Sequence, residues 1–306
     1  MGRLTLNPVG ADEFAPTNVC CMTSDIDLTH SLGDKQMKTK TYIKSFCLLL
    51  VGLMFVNMAL AAGEEDAVWN NVLKQKHFGD RAIDESAATI ELTAPYRAED
   101  PALVPISITA KTPQTPGNYI KTITLIIDNN PEPFAAAFHF TPESGKADIA
   151  TRLRFNAYTN IRAIAETNDG KLSMVKAFVK ASGGCSAPIG ADLEAAMARM
   201  GKMKFKLEGD KIVPNQPNQI QLLVSHPSIS GMQMDQISRQ IKPAHFVNQV
   251  KVSFNGKPVI SAETDIALST DPNFRFYFVP DKAGELKAEV KDNLGKEFSY
   301  TQAVSP

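Results

Sequence analysis

The segment YIKTITLIIDNNPEPFAAAFHF, residues 119–140, shows the pattern that repeats through most of this 306-residue chain. Its two apolar runs are rich in β-branched and aromatic residues and partly alternate with polar ones, which is typical of β-strands. Asp128-Asn129-Asn130-Pro131 separates the runs, and these residue types favour a turn. The segment therefore predicts two strands joined by a turn.

Similar short runs lie on both sides of this segment, after a short helix that apolar spacing predicts at residues 67–77. In the first half they occupy residues 89–92, 104–108, 149–155, 160–166 and 173–180. Turn residues such as Asn168-Asp169-Gly170 separate them. About seven strands at this spacing predict an immunoglobulin-like β-sandwich at residues 66–181, although the disulfide typical of antibody domains is missing.

The second half repeats the pattern between residues 203 and 304. Its runs occupy residues 204–207, 219–225, 247–254, 257–260, 274–279 and 284–292, with a turn signal at Asn255-Gly256. The predicted fold class is therefore all-β, with two immunoglobulin-like β-sandwich domains in tandem. A flexible linker and junction at residues 182–202 is expected to connect them.

Charge and motifs exclude several function classes. The chain has 32 Lys and Arg residues against 33 Asp and Glu residues, so its net charge of -1 does not indicate a nucleic-acid partner. The histidines of the predicted domains, His77, His139, His226 and His245, do not stand at zinc-ligand spacing with each other or with a cysteine. No phosphate-binding loop or nucleophile elbow is found in the sequence. We expect no cofactor, no metal site and no independent catalysis.

Residues 37–61 resemble a secretory signal peptide. A basic start from Met37 to Lys44 precedes an apolar run that ends at Ala59-Leu60-Ala61, a small-residue cleavage site. An uncleaved membrane anchor is the alternative, but the run is shorter than the ~20 residues of a spanning helix. We expect export to the periplasm with no membrane attachment after processing. Residues 1–36 precede a complete signal and are treated as an upstream extension outside the fold.

Cleavage after Ala61 would leave one cysteine. Cys20, Cys21 and Cys47 precede the cleavage site, whereas Cys185 follows it. A single cysteine in an exported protein forms no internal disulfide, so Cys185 is a reactive thiol, an intermolecular partner or a covalent attachment site. The alternative is a buried and inert cysteine, which is the common fate of a free one.

The neighbours of Cys185 favour a functional thiol. The stretch KASGGCSAPIG, residues 180–190, consists mostly of small residues with glycine and proline. Gly183 and Gly184 give the backbone conformational freedom, so they are the predicted hinge of a mobile arm with an exposed thiol.

Taken together, these features resemble a fusion of the SoxY and SoxZ subunits of the bacterial sulfur-oxidising carrier. Gly183-Gly184-Cys185 is similar to the Gly-Gly-Cys-Gly-Gly swinging arm of SoxY. In the second half, Val224-Ser225-His226-Pro227 and Lys242-Pro243-Ala244-His245-Phe246-Val247 resemble segments of SoxZ. Single chains of this kind resemble the quinoprotein dehydrogenase-associated SoxYZ-like carriers.

The resemblance implies that Cys185 is the covalent carrier thiol and that Gly183 and Gly184 form its hinge. It also implies periplasmic oxidoreductases as partners, either Sox enzymes or a quinoprotein dehydrogenase. The chain departs from the family because Ser186-Ala187-Pro188 and a second domain follow the cysteine, which tethers the arm at both ends. A disulfide-linked homodimer through Cys185 is a further possible assembly.

Three hypotheses follow from the sequence. The first is a carrier that holds a sulfur-containing or other small group on Cys185. The second is a non-covalent adaptor of a periplasmic quinoprotein dehydrogenase. The third is a thiol enzyme, which would need a histidine near Cys185 in the folded chain.

Overall fold

The structure is a computed structural model that describes residues 66–86, 89–188, 193–209, 211–235 and 238–305. The predicted signal peptide at residues 37–61 and the extension at residues 1–36 lie outside these described residues. Within the described ranges, no helix has both the length and the apolar character needed to cross a membrane.

A short helical segment opens the described chain. A π-helical turn, Trp69–Leu73, continues into helix α1, Lys74–Phe78, close to the helix that the sequence predicts. The strands of the first half follow as β1 (Ile83–Asp84), β2 (Ile90–Thr93), β3 (Val104–Ala110), β4 (Ile120–Ile127), β5 (Phe134–Phe140), β6 (Ile149–Leu153), β7 (Thr159–Thr167) and β8 (Leu172–Val179). A 3-10 turn, Pro142–Ser144, lies between β5 and β6.

The second half begins with helix α2, Leu193–Ala198. Its strands are β9 (Met203–Leu207), β10 (Asn218–Val224), β11 (Val247–Phe254), β12 (Lys257–Thr264), β13 (Asn273–Phe278), β14 (Gly284–Asp292) and β15 (Glu297–Val304). β14 shows why these segments form strands, since Leu286, Ala288 and Val290 alternate with exposed charged residues and point into the core.

The strands form two sheets, and each sheet contains strands from both halves of the chain. The larger sheet has the order β1-β8-β7-β4-β5-β12-β11-β14-β15, and the smaller one has the order β2-β3-β6-β13-β10-β9. In the larger sheet the halves meet where β5 pairs with β12 in antiparallel register, with Phe138 opposite Ala262. In the smaller sheet β6 meets β13, where Ala150 is opposite Arg275.

The space between the sheets holds one hydrophobic core that also crosses the boundary between the halves. Phe138 of the first half and Phe274 of the second contact each other edge to face, with ring centroids 6.3 Å apart. The all-β, immunoglobulin-like prediction is confirmed. The tandem halves are joined edge to edge, because β5 and β12 would otherwise present unpaired backbone groups to solvent. The exact domain boundaries stay a prediction.

Strand β7, in the interior of the larger sheet, is covered on both faces. Residues 159–165 are all buried, because one face of β7 meets the main core and the other lies under the N-terminal helical segment. Trp69 and Leu73 pack there with Ile164 and Met174 in a second, smaller cluster. The helical segment therefore closes the outer face of the larger sheet.

Candidate functional site

The Gly-Gly-Cys segment follows β8 and packs against the start of the loop that leaves β6. The backbone N–H of Gly184 donates to the carbonyl of Phe155 at 2.8 Å, and that of Gly183 donates to the carbonyl of Asn156 at 3.1 Å. Cys185 itself is fully buried, with 0% of its surface exposed. The thiol therefore lies inside the protein in this conformation.

The two glycines fit this packed conformation for different reasons. Gly183 has a φ of 81°, a left-handed conformation that residues with a side chain rarely adopt. Gly184 needs space, because a Cβ atom there would lie 2.7 Å from the carbonyl oxygen of Phe155 and closer still to that of Pro101. Glycine at both positions is therefore required for the arm to lie where it does.

A loop from the second half holds the arm on its other side. We call residues 228–233 the clamp loop. The hydroxyl of Ser230 donates to the carbonyl of Cys185, and the side-chain amide of Gln233 donates to the carbonyl of Ala187 at 3.1 Å. Gln233 also accepts from the backbone N–H of Ser230 at 3.0 Å. Because Ser230 and Gln233 are both buried, these bonds are shielded from water.

These contacts correct the prediction of an exposed thiol, since Cys185 is buried in this conformation. The mobility of the arm stays a prediction. Glycine and small residues indicated flexibility from the sequence, yet the same residues permit the close approach to Pro101 and Phe155. Backbone hydrogen bonds to one half and side-chain hydrogen bonds from the other replace the missing side-chain packing. In this conformation the segment therefore lies packed between the two halves as far as Pro188.

Burial controls the protonation of the thiol. It raises the pKa of Cys185 from 9.0 to about 11, and the positive charge of Arg154 acts in the opposite direction with a smaller effect. The thiolate is the nucleophilic form of cysteine, so the packed thiol is protonated and unreactive near neutral pH. Reaction at Cys185 requires the arm to leave this position or a partner to change its surroundings.

Arg154 is the cation beside this thiol. It follows β6, and its Nη1 donates to the carbonyl of Leu268 at 2.6 Å while its Nη2 donates to the hydroxyl of Thr270 at 2.8 Å. Burial lowers the pKa of Arg154 to about 10, and the nearby Cys185 acts in the opposite direction. The sequence did not single out Arg154, because its neighbours on the second half are more than 100 residues away along the chain.

A second polar cluster anchors the clamp loop. His245 Nε2 lies 2.7 Å from Asp292 Oδ2, and His226 Nε2 lies 3.7 Å from the same oxygen, with the two imidazole centroids 4.8 Å apart. The backbone of His245 also pairs with that of Ile229 in the clamp loop through bonds of 2.7 and 2.9 Å. The sequence treated both histidines as structural and did not predict that they meet.

Three groups in this cluster have the chemistry of metal ligands, since their ligand atoms lie within 4.8 Å of one another. The backbone N–H of Ser228, however, donates to His226 Nδ1 at 3.0 Å, so the neutral ring carries its proton on Nε2. Burial, with His245 as a smaller cause, lowers the pKa of His226 to about 4. In this tautomer Nε2 of His226 has no free lone pair to offer a metal, and it has no hydrogen-bond acceptor among the described residues, whereas Nε2 of His245 bonds with Asp292.

The remaining histidines lie elsewhere. His77, on helix α1, stacks on Phe134, and His139 on β5 hydrogen-bonds with Thr122. Among the described residues, no hydrogen bond joins a histidine to Cys185. The geometry that the thiol-enzyme hypothesis needs is not found in this conformation.

Two family models match the chain. The model described as sulfur oxidation protein SoxY matches residues 74–185, and the model described as sulphur oxidation protein SoxZ matches residues 207–303. The first match ends at Cys185 itself. No curated protein matches the chain.

Solved structures similar to the chain include the sulfur carrier protein SoxY from Chlorobium limicola f thiosulfatophilum. It is 27% identical, with 39% of this chain and 92% of that chain covered and a TM-score of 0.30. A superoxide reductase (neelaredoxin) from Ignicoccus hospitalis is 18% identical, with 37% and 85% covered and a TM-score of 0.26.

Proposed function

We propose that this chain, which joins a SoxY domain and a SoxZ domain of the sulfur-oxidation proteins in one polypeptide, holds a sulfur-containing group covalently on Cys185. It presents that group to partner oxidoreductases and does not transform it alone. The single observation that carries the proposal is the setting of Cys185. This cysteine ends the SoxY match and lies in a glycine-specific position between the two halves.

The packed arm fits a carrier that shelters its cargo between partners. Cys185 is fully buried, and hydrogen bonds from the clamp loop hold the arm. Such bonds can be exchanged for bonds to water when the arm leaves, so opening requires no rearrangement of the hydrophobic core. The thiol becomes reactive in the open form, where burial no longer raises its pKa.

The proposal includes export to the periplasm through the signal at residues 37–61. Its partners there are oxidoreductases of a sulfur-oxidising system or a quinoprotein dehydrogenase. Thiosulfate-derived groups are the first cargo to test, because the matched families belong to sulfur oxidation.

The test is intact-mass measurement and peptide mapping of the protein purified without reductant from the cells that make it. The expected result is an adduct on the peptide that contains Cys185, and its mass identifies the cargo. In the matched variant Cys185→Ser, the adduct and the dependent oxidation activity are both expected to be lost. An unmodified thiol during active growth, together with a fully active Cys185→Ser variant, would instead indicate a non-covalent adaptor.

A further inference from the structure

The guanidinium of Arg154 is buried without a carboxylate partner. Arg154 is only 1% exposed, and its Nε–H has no hydrogen-bond acceptor among the described residues. No ion pair within 4.0 Å joins it to a carboxylate in that part of the chain. The charge of Asp100, an exposed residue, acts on Arg154 from farther away and raises its pKa less than burial lowers it.

Such an arrangement is unfavourable unless another group completes it. A buried cation without a nearby anion and a buried N–H without an acceptor both reduce the stability of the folded state. Two neutral carbonyls and the hydroxyl of Thr270 satisfy the Nη atoms, but none of them carries a charge. The site therefore lacks one negatively charged acceptor.

Cys185 lies on the segment that packs beside Arg154. Gly184 donates to the carbonyl of Phe155, the residue that follows Arg154, so the arm runs directly beside the arginine. The charges of Arg154 and Cys185 each affect the pKa of the other group. The unloaded thiol is protonated in this position and gives the arginine no counter-ion.

We propose that Arg154 is the anion-binding residue of the carrier site, and that its guanidinium holds the oxyanion end of a group attached to the sulfur of Cys185. Sulfonate-type oxygens accept hydrogen bonds from guanidinium N–H groups and carry the negative charge that the site lacks. Loading therefore strengthens the packed arm when the group is anionic and not when it is neutral. This inference rests on the proposed carrier function and assigns it a positioning residue.

The test compares an anionic and a neutral group on the same sulfur. The full chain with Cys20, Cys21 and Cys47 replaced by serine is loaded at Cys185 and checked by intact mass. With tetrathionate, the thiolate attacks a central sulfur, the central sulfur–sulfur bond breaks and thiosulfate leaves with the electron pair, which gives Cys–S–S–SO3−. With methyl methanethiosulfonate, the thiolate attacks the sulfur that bears the methyl group and methanesulfinate leaves, which gives neutral Cys–S–S–CH3.

The readout is the rate at which dithiothreitol releases each group, since release requires the arm to open. In Arg154→Met, release of the anionic group is expected to be about tenfold faster than in the unchanged protein, because a charge-assisted bond is lost. Release of the neutral group is expected to change much less. Thr270→Val removes a neutral partner of the guanidinium and serves as the matched control, with the preference for the anionic group retained.

If Arg154→Met releases the anionic and the neutral group faster by the same factor, the proposal is overturned, and Arg154 only stabilises the fold. If Arg154→Met does not fold, Arg154→Lys gives the same comparison, because it keeps the charge but loses the planar fork of donors. Its preference for the anionic group is then expected to shrink, and an unchanged preference would contradict the role of Nε. Chemical loading separates this outcome from the carrier proposal, which depends on adducts found in cells.

Discussion

Replacing Ser230 by alanine is expected to increase the reaction rate of Cys185 with thiol reagents about 30-fold. In the packed conformation the Ser230 hydroxyl donates to the carbonyl of Cys185, and Ser230 is 3% exposed. Alanine would leave this carbonyl without that donor, and water cannot readily replace it at a buried position. The packed arm is therefore weakened relative to the open arm, in which the same carbonyl is hydrated.

The magnitude follows from the burial of this bond. Leaving a buried carbonyl unsatisfied costs about 2 kcal/mol, within the range of 1–3 kcal/mol for such groups. Each 1.4 kcal/mol changes an equilibrium about tenfold, so about 2 kcal/mol increases the open population about 30-fold. When opening and closing are fast compared with labelling, the labelling rate follows this population.

The assay is labelling of Cys185 with 5,5′-dithiobis(2-nitrobenzoic acid), followed by absorbance, in the full chain with its other cysteines replaced by serine. Ser186→Ala is the matched control, because its exposed hydroxyl bonds only within the arm, to the carbonyl of Gly183 at 3.3 Å. The control is expected to label at nearly the unchanged rate. Equal labelling rates for Ser230→Ala and the unchanged protein would refute the inference that the Ser230 hydroxyl holds the arm in its packed conformation.

Two further outcomes are expected. In Gly184→Ala the new Cβ would overlap the carbonyl of Pro101, so the arm is displaced and Cys185 is expected to react faster still with the thiol reagent. Gly117→Ala is the control, because a Cβ there meets no atom within 4 Å, and Cys185 should react at the unchanged rate in this variant. The pKa of His226 is 6.5 in the unfolded chain and about 4 in the folded protein. Between pH 6.5 and 4 the unfolded chain therefore binds more protons, so the stability of the fold decreases as the pH falls through this range. Thermal unfolding of His226→Gln should show a smaller decrease over that range, and an identical decrease in both proteins would mean that other groups cause it.

The sequence predicts most strands because each carries its own evidence, although it did not predict β15. The run at residues 284–292 alternates buried and exposed positions along β14, and this alternation depends only on neighbouring residues. The sequence does not predict which strands pair with each other. The contact of β5 with β12 joins residues more than 100 positions apart, and neither run contains a local signal for that partner.

The candidate site shows the same division. The sequence identified Cys185 because it is the one cysteine after the predicted cleavage site. It identified the two glycines because Gly183-Gly184-Cys185 resembles the SoxY arm. It predicted an exposed arm because small residues give no local reason to pack. Ser230 and Gln233 escaped notice since they act on the arm only after the two halves have joined. Arg154 belongs to the same half as Cys185, but no local pattern in the sequence links it to the cysteine.

The sequence by itself therefore determined the all-β fold class, the match of its two halves to SoxY and SoxZ, and the one cysteine beyond the predicted cleavage site. Only the tertiary structure decided that both sheets run through both halves, that the thiol is buried and that Arg154 lies nearby with no carboxylate partner among the described residues. The physical reason is distance along the chain. Strand propensity acts between neighbours, whereas burial and charge at Cys185 depend on residues that folding brings together from both halves.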